Sequence, residues 1–114
     1  MSNAAKLAAL AFAAALPLAG PANAASFSCM ADYDLNAAER MICSSRGLAA
    51  LDERLDSWYR RALIRAGYFD QTEDVRDAQR AWVASRNACG ASYFCLRRAY
   101  RVRIRELANY VEHV

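Results

Sequence analysis

The sequence predicts an all-α fold, a small disulfide-stapled helical bundle of one short and three longer helices, with the last two forming an antiparallel hairpin. Three observations predict it. Apolar and aromatic residues recur at spacings of three and four through the long segments, no segment alternates in the manner of a strand, and four cysteines occur in a chain of 114 residues.

The amino end is read as a secretory signal peptide spanning residues 1–24. Lys6 precedes the apolar run LAALAFAAALPLAG, and Ala22-Asn23-Ala24 supplies a cleavage cue before Ala25. Pro17, Gly20 and Pro21 leave that run too short and too broken to span a bilayer as a lone helix. A lipid-modified secretory protein would need cysteine where Pro21 follows Leu18-Ala19-Gly20, so no stable membrane anchor is expected. Residues 25–114 then form a single domain of 90 residues, few enough that its core needs covalent help. The expected location is periplasmic or secreted, from a bacterium, and soluble after cleavage.

Beyond residue 24 the basic residues are 14, all arginine, against 12 acidic ones, a net charge of +2. That balance does not suggest a nucleic-acid partner, which calls for a denser basic patch, and none is expected. The first element after the leader starts at Asn36-Ala37-Ala38-Glu39, spaced like a capping box, and predicts a short helix over 37–43. Beyond Gly47, the residues Leu48, Leu51, Leu55, Trp58, Tyr59, Ala62 and Ala66 form one helical stripe, with the stop expected at Gly67. Asp70-Gln71-Thr72-Glu73 is again spaced like a capping box, opening a helix whose inner face carries Val75, Ala78, Trp82 and Cys89. Gly90 stops it. From Ser92, the residues Tyr93, Leu96, Tyr100, Ile104, Leu107 and Val111 predict a last helix running nearly to the end.

The cysteines fit the same plan. Continuous helix would separate Cys89 and Cys95 by about 9 Å along its axis, beyond the reach of a disulfide, so a bond between them requires a turn. Gly90 in the left-handed conformation and Ser92 as a helix cap supply one. The expected pairs are Cys29 with Cys43 and Cys89 with Cys95, contributing about 3 and 2 kcal/mol in the chain-entropy picture. A redox centre would bring its cysteines closer in sequence, and zinc would need ligands that His113, the sole histidine, does not complete, so no metal or other cofactor is expected. Catalysis is not expected either, because no serine, histidine and acid set is present.

Taken together, Cys29 and Cys43 around a short helix, Leu48-Ala49-Ala50-Leu51-Asp52 followed by Tyr59, Gln79-Arg80-Ala81-Trp82 with Arg86 and Cys89-Gly90, and Cys95-Leu96 with Tyr100 resemble a known family. It is the LprI-type lysozyme inhibitor family of small exported bacterial proteins, matched through its N-terminal domain. The resemblance implies a helical fold carrying Asp52, Tyr59, Gln79, Trp82, Arg86 and Tyr100 as structural motif residues. It also implies a protein partner, with lysozyme the candidate, whose muramidase cleft would be blocked to protect peptidoglycan. The alternative is a general envelope interaction module with another partner and no effect on lysozyme. Oligomeric state is left open.

Within the motif, Trp82 is expected in the core and Arg86 as a structural tie reaching Asp52 on the preceding helix. Arg97, Arg101 and Arg105 recur at i, i+4 and i+8 along one edge of the last helix and are the candidate partner-binding residues. They are expected to be solvated, paired with Asp52, Asp56, Asp74 or Asp77, or presented to an acidic feature of the partner. The acidic turn of Glu73, Asp74 and Asp77 is a second candidate surface. A membrane-active role is disfavoured because acids are interspersed with the arginines.

Overall fold

A helix leaves four backbone N–H groups free at its start and four carbonyls at its end, and the places where this chain satisfies them set its architecture. A computed structural model describes residues 23–24, 27–30 and 34–113. The expected signal peptide lies outside the described residues except for Asn23 and Ala24. Among the described residues there are four helices: α1 (Ala37–Ser44), α2 (Arg46–Tyr68), α3 (Thr72–Asn87) and α4 (Tyr93–Glu112).

Helix α1 starts at the predicted capping box. The Glu39 amide donates to Asn36 Oδ1 at 2.8 Å, and the Asn36 amide donates to Glu39 Oε1 at 3.1 Å. Helix α2 begins earlier than its apolar stripe suggested, because Ser45 Oγ accepts the Leu48 amide at 3.1 Å and so caps a turn that includes Gly47.

At the other end of α2 two expectations are corrected together. The helix continues through Gly67 to Tyr68, and the left-handed residue is Asp70, with φ of 58°. Glycine permits that conformation without requiring it, and aspartate is among the residues that tolerate it. The Gln71 amide then donates back to the Ala66 carbonyl at 2.9 Å, closing the α2 end in the Schellman manner. An N-cap needs extended backbone, so Asp70 in this conformation cannot also cap α3. The expected second capping box is absent: α3 starts from Gln71 with no side-chain cap bond, and Glu73 and Asp74 supply the favourable negative charge at its first turn.

The turn into α4 follows expectation. Gly90 has φ of 60°, and Ser92 Oγ accepts the Cys95 amide at 3.3 Å. Both expected disulfides are present, Cys29–Cys43 and Cys89–Cys95, with Cα separations of 5.8 and 5.6 Å. Cross-contacts between α3 and α4 run in opposite directions, Gln71 to Tyr110, Gln79 to Arg103 and Trp82 to Ala99, as an antiparallel hairpin requires. Helices α2 and α4 lie side by side in the same direction, with Tyr93 over Gly47 at one end and Tyr110 beside Arg65 at the other.

A minimal strand pair precedes the helices. Asn23–Ala24 (β1) pairs antiparallel with Phe27–Ser28 (β2), two residues each, too short to leave an alternating pattern in the sequence. The core beneath joins Ala38 and Ile42 of α1, Leu48, Leu55, Ala62 and Ala66 of α2, Val75 of α3, and Leu96, Tyr100 and Leu107 of α4. Each fully buried leucine or isoleucine there contributes about 1.5–3 kcal/mol. Ala78, expected to face inward on α3, is exposed. Val75 and Trp82 suffice to seat this more polar helix, with Trp82 half-buried against the core.

Candidate functional site

A bundle this small has little room for polar groups inside, and those present are tied together. Arg86 of α3 is 1% exposed and reaches three other helices. Its Nη1 lies 3.4 Å from the Tyr100 hydroxyl of α4 and 3.9 Å from Asp52 Oδ1 of α2, and its Nη2 lies 3.4 Å from Glu39 Oε2 of α1. Nε and Nη2 both donate to Asn87 Oδ1, at 3.1 and 2.8 Å. Rings flank the guanidinium, with its carbon 5.3 Å from the Phe27 centroid and 5.6 Å from that of Trp82. The Tyr100 hydroxyl donates to Asp52 Oδ1 at 2.7 Å, and Trp82 stands edge-on to the Tyr100 ring with centroids 5.1 Å apart.

Arg86 thus contacts α1, α2 and α4 from α3, and Trp82 lies at the core margin, its Nε1 donating to the Ala99 carbonyl at 3.2 Å. Gln79 lies one layer away and accepts from Arg103 Nε at 3.0 Å, while Arg103 Nη1 also reaches Glu106. Tyr59 packs half-buried on the core, apart from the Arg86 cluster. Among the described residues no buried side-chain nitrogen or oxygen lacks a partner. The hydrogen-bonding groups of the cluster are therefore satisfied within the bundle.

Burial pushes the Tyr100 hydroxyl well above its ordinary range, with the Asp52 carboxylate adding to the effect and Arg86 opposing it. The folded state thus holds this proton where the unfolded chain releases it. This contribution is fully present below about pH 10 and declines above it, by about 1.4 kcal/mol per pH unit, until the folded group itself ionises. Denaturant titrations from about pH 8 to 11 should show that decline, and Tyr100→Phe should remove it. An unchanged slope in the variant would assign the decline to another group.

The outer side of α4 is different in kind. Arg97, Arg101 and Arg105 are all exposed, and among the described residues none has a carboxylate within ion-pair distance. Three of the four expected acidic partners are engaged elsewhere, and Asp74 forms no ion pair among the described residues. Asp52 lies in the Arg86 cluster, Asp56 pairs with Arg60, and Asp77 pairs with Arg80. Arg98 and Phe94, both exposed and unassigned by the sequence reading, complete this face, since Phe94, Arg98, Arg101 and Arg105 follow at spacings of four, three and four. That spacing was available to find them. No such signal existed for Glu39, Asn87, Phe27 or the buried Arg103, whose contacts depend on how helices meet.

The acidic turn at the start of α3 is largely self-neutralised, with Glu73 bound to Arg76 and Asp77 to Arg80. The family model described as "Lysozyme inhibitor LprI" matches residues 29–107. The chain belongs to the LprI lysozyme inhibitor family. Its matched span runs from Cys29 to Leu107, enclosing both disulfides and every member of the Arg86 cluster except Phe27. LprI proteins are described as inhibitors, not as enzymes. Searches of curated proteins and of solved structures found no match.

Proposed function

We propose that this LprI-family chain is an exported binding protein that blocks the muramidase cleft of a lysozyme with the arginine face of α4. The observation that carries the reading is the exposed row of Arg97, Arg98, Arg101 and Arg105, unpaired with any carboxylate among the described residues. A lysozyme cleft presents two catalytic carboxylates, and an arginine brought to them can form charge-assisted, bidentate hydrogen bonds. The row lies on the convex outside of a helix, a shape suited to entering a groove. Phe94, beside it at the α4 start, is 77% exposed and offers an apolar contact next to the charges.

Animal lysozymes are basic overall, so long-range attraction does not assist this encounter, and the contact must gain its affinity locally. Export to the periplasm or beyond, after loss of residues 1–24, is part of the proposal. It is supported by the two disulfides and by the finding that, among the described residues, no helix is long and apolar enough to cross a membrane.

The test is muramidase inhibition by the purified, oxidised chain at near-stoichiometric ratio, against animal, goose and invertebrate lysozymes. Arg101→Glu, which reverses charge in the middle of the row, is expected to weaken inhibition at least about tenfold while leaving the melting temperature unchanged or slightly higher, because like-charge repulsion along α4 is relieved. No inhibition of any lysozyme type would remove the reading in favour of a general envelope interaction module. Full inhibition by Arg101→Glu would move the contact to another face.

A further inference from the structure

The far end of the bundle, where α2 and α4 finish together, carries a second exposed surface of a different composition. Ile64, Tyr68 and Phe69 are 65%, 81% and 53% exposed. Ile64 and Tyr68 border, with Val111 of α4, a shallow cleft that also takes in Arg61 and Arg65, and Phe69 lines a neighbouring one that shares Arg65. The two arginines lie over rings: the Arg61 guanidinium is 4.3 Å from the Trp58 centroid, and that of Arg65 is 5.0 Å from Phe69 and 5.9 Å from Tyr110. Aromatic residues and arginine in this combination are the composition of interface hot spots.

What could cover this surface is constrained by charge. Arg61 and Arg65 have no ion pair among the described residues, and neither do Asp70 and Glu112, which adjoin Phe69 and Val111 in the chain. The patch therefore carries two positive and two negative groups around an apolar centre, each sign awaiting the other. A surface of that kind is complementary to itself under a two-fold rotation, which brings the arginines of one copy to the acids of the next. The arginine row on α4 has no acid within it, and two such faces would repel.

The area agrees. If a fully exposed aromatic offers about 150–250 Å², Ile64, Tyr68 and Phe69 together present on the order of 450 Å² per copy. Pairing then covers on the order of 900 Å² before Arg61, Arg65 and Val111 are counted, near the roughly 1,000 Å² that a specific interface needs. We infer that the α2–α4 end is a homodimer interface, joining two copies of this chain while leaving both arginine rows facing outward. The inference stands apart from the lysozyme reading, since it uses a different face.

Sedimentation velocity of the oxidised chain from micromolar to millimolar concentration tests it. The expected result is a reversible monomer–dimer equilibrium. Ile64→Asp combined with Tyr68→Ser should weaken that equilibrium at least about tenfold. Both positions are exposed, so the melting temperature should stay near that of the parent chain. Arg101→Glu should leave the dimer intact, and the Ile64→Asp/Tyr68→Ser chain should keep whatever inhibition the parent has, which separates failure of this inference from failure of the lysozyme reading. A parent chain that stays monomeric at millimolar concentration overturns it. So does a dimer unaffected by Ile64→Asp/Tyr68→Ser, or one lost in Arg101→Glu.

Discussion

Replacing Arg86 by alanine is expected to lower unfolding free energy by about 3–5 kcal/mol, a large share of what a domain of this size has. The loss does not measure the attraction of Arg86 for its partners, because a buried ion pair gains little over a well-packed apolar substitute. It comes from what remains behind. Asp52 is fully buried and accepts from the Tyr100 hydroxyl, and without Arg86 its charge loses that cation. Glu39 and Asn87 lose the same donor, and Phe27 and Trp82 lose the cation between them.

Two companion variants make the argument specific. Arg86→Lys keeps the charge but cannot reach Tyr100, Glu39 and Asn87 at once, so it should recover only part of the loss. Asp52→Ala with Arg86→Ala should cost less than the sum of the two single changes, because each single change strands the other's charge. Urea denaturation of the parent, Arg86→Ala, Arg86→Lys, Asp52→Ala and the double variant measures both. A loss below about 1 kcal/mol for Arg86→Ala, or strict additivity in the cycle, would show that the cluster is not the tie between helices that its distances describe.

How much of this could be read before any coordinates depends on the range of the interaction. The capping box at Asn36 and Glu39, the Gly90 turn and the Ser92 cap are satisfied within a few residues, and each was legible in the sequence. The end of α2 misled because two rules competed over four residues. Gly67 and Asp70 both suit a helix end, and using Asp70 for the left-handed position removed it from capping α3. The reach of Arg86 to Asp52 was anticipated from the motif, but its contact with Glu39 spans 47 positions, and a glutamate already serving a cap gives no sign of a second role. On α4 the difficulty was one of angle. A strict i, i+4, i+8 row drifts around the helix, so Arg97, Arg101 and Arg105 stood out while Arg98, on the same exposed side, did not.

Reduction of both disulfides is the other change expected to be decisive, and the two bonds should not contribute alike. The chain-entropy estimate assigns about 3 kcal/mol to the Cys29–Cys43 loop and about 2 to the shorter one, a combined amount comparable to the whole stability of many small domains. The Cys89–Cys95 turn has other supports. The Cys89 amide donates to the Arg86 carbonyl, that of Gly90 to Asn87 and that of Ser92 to Cys89, and Ser92 caps α4, so the reversal is expected to persist without its sulfur bridge. Cys29–Cys43 has fewer substitutes, because it fastens the segment that carries Phe27 to α1 and so holds one ring against Arg86. Cys29→Ser/Cys43→Ser is therefore expected to destabilise more than Cys89→Ser/Cys95→Ser, in urea titrations of each double variant beside the oxidised and fully reduced parent. Under the proposed function, lysozyme inhibition should fall with the folded fraction in all four, since the arginine row on α4 depends on the bundle beneath it to stay on one face. The opposite order of stabilities would mean that the hairpin turn relies on its bridge more than its backbone bonds indicate, and inhibition retained by an unfolded, reduced chain would detach the activity from the fold.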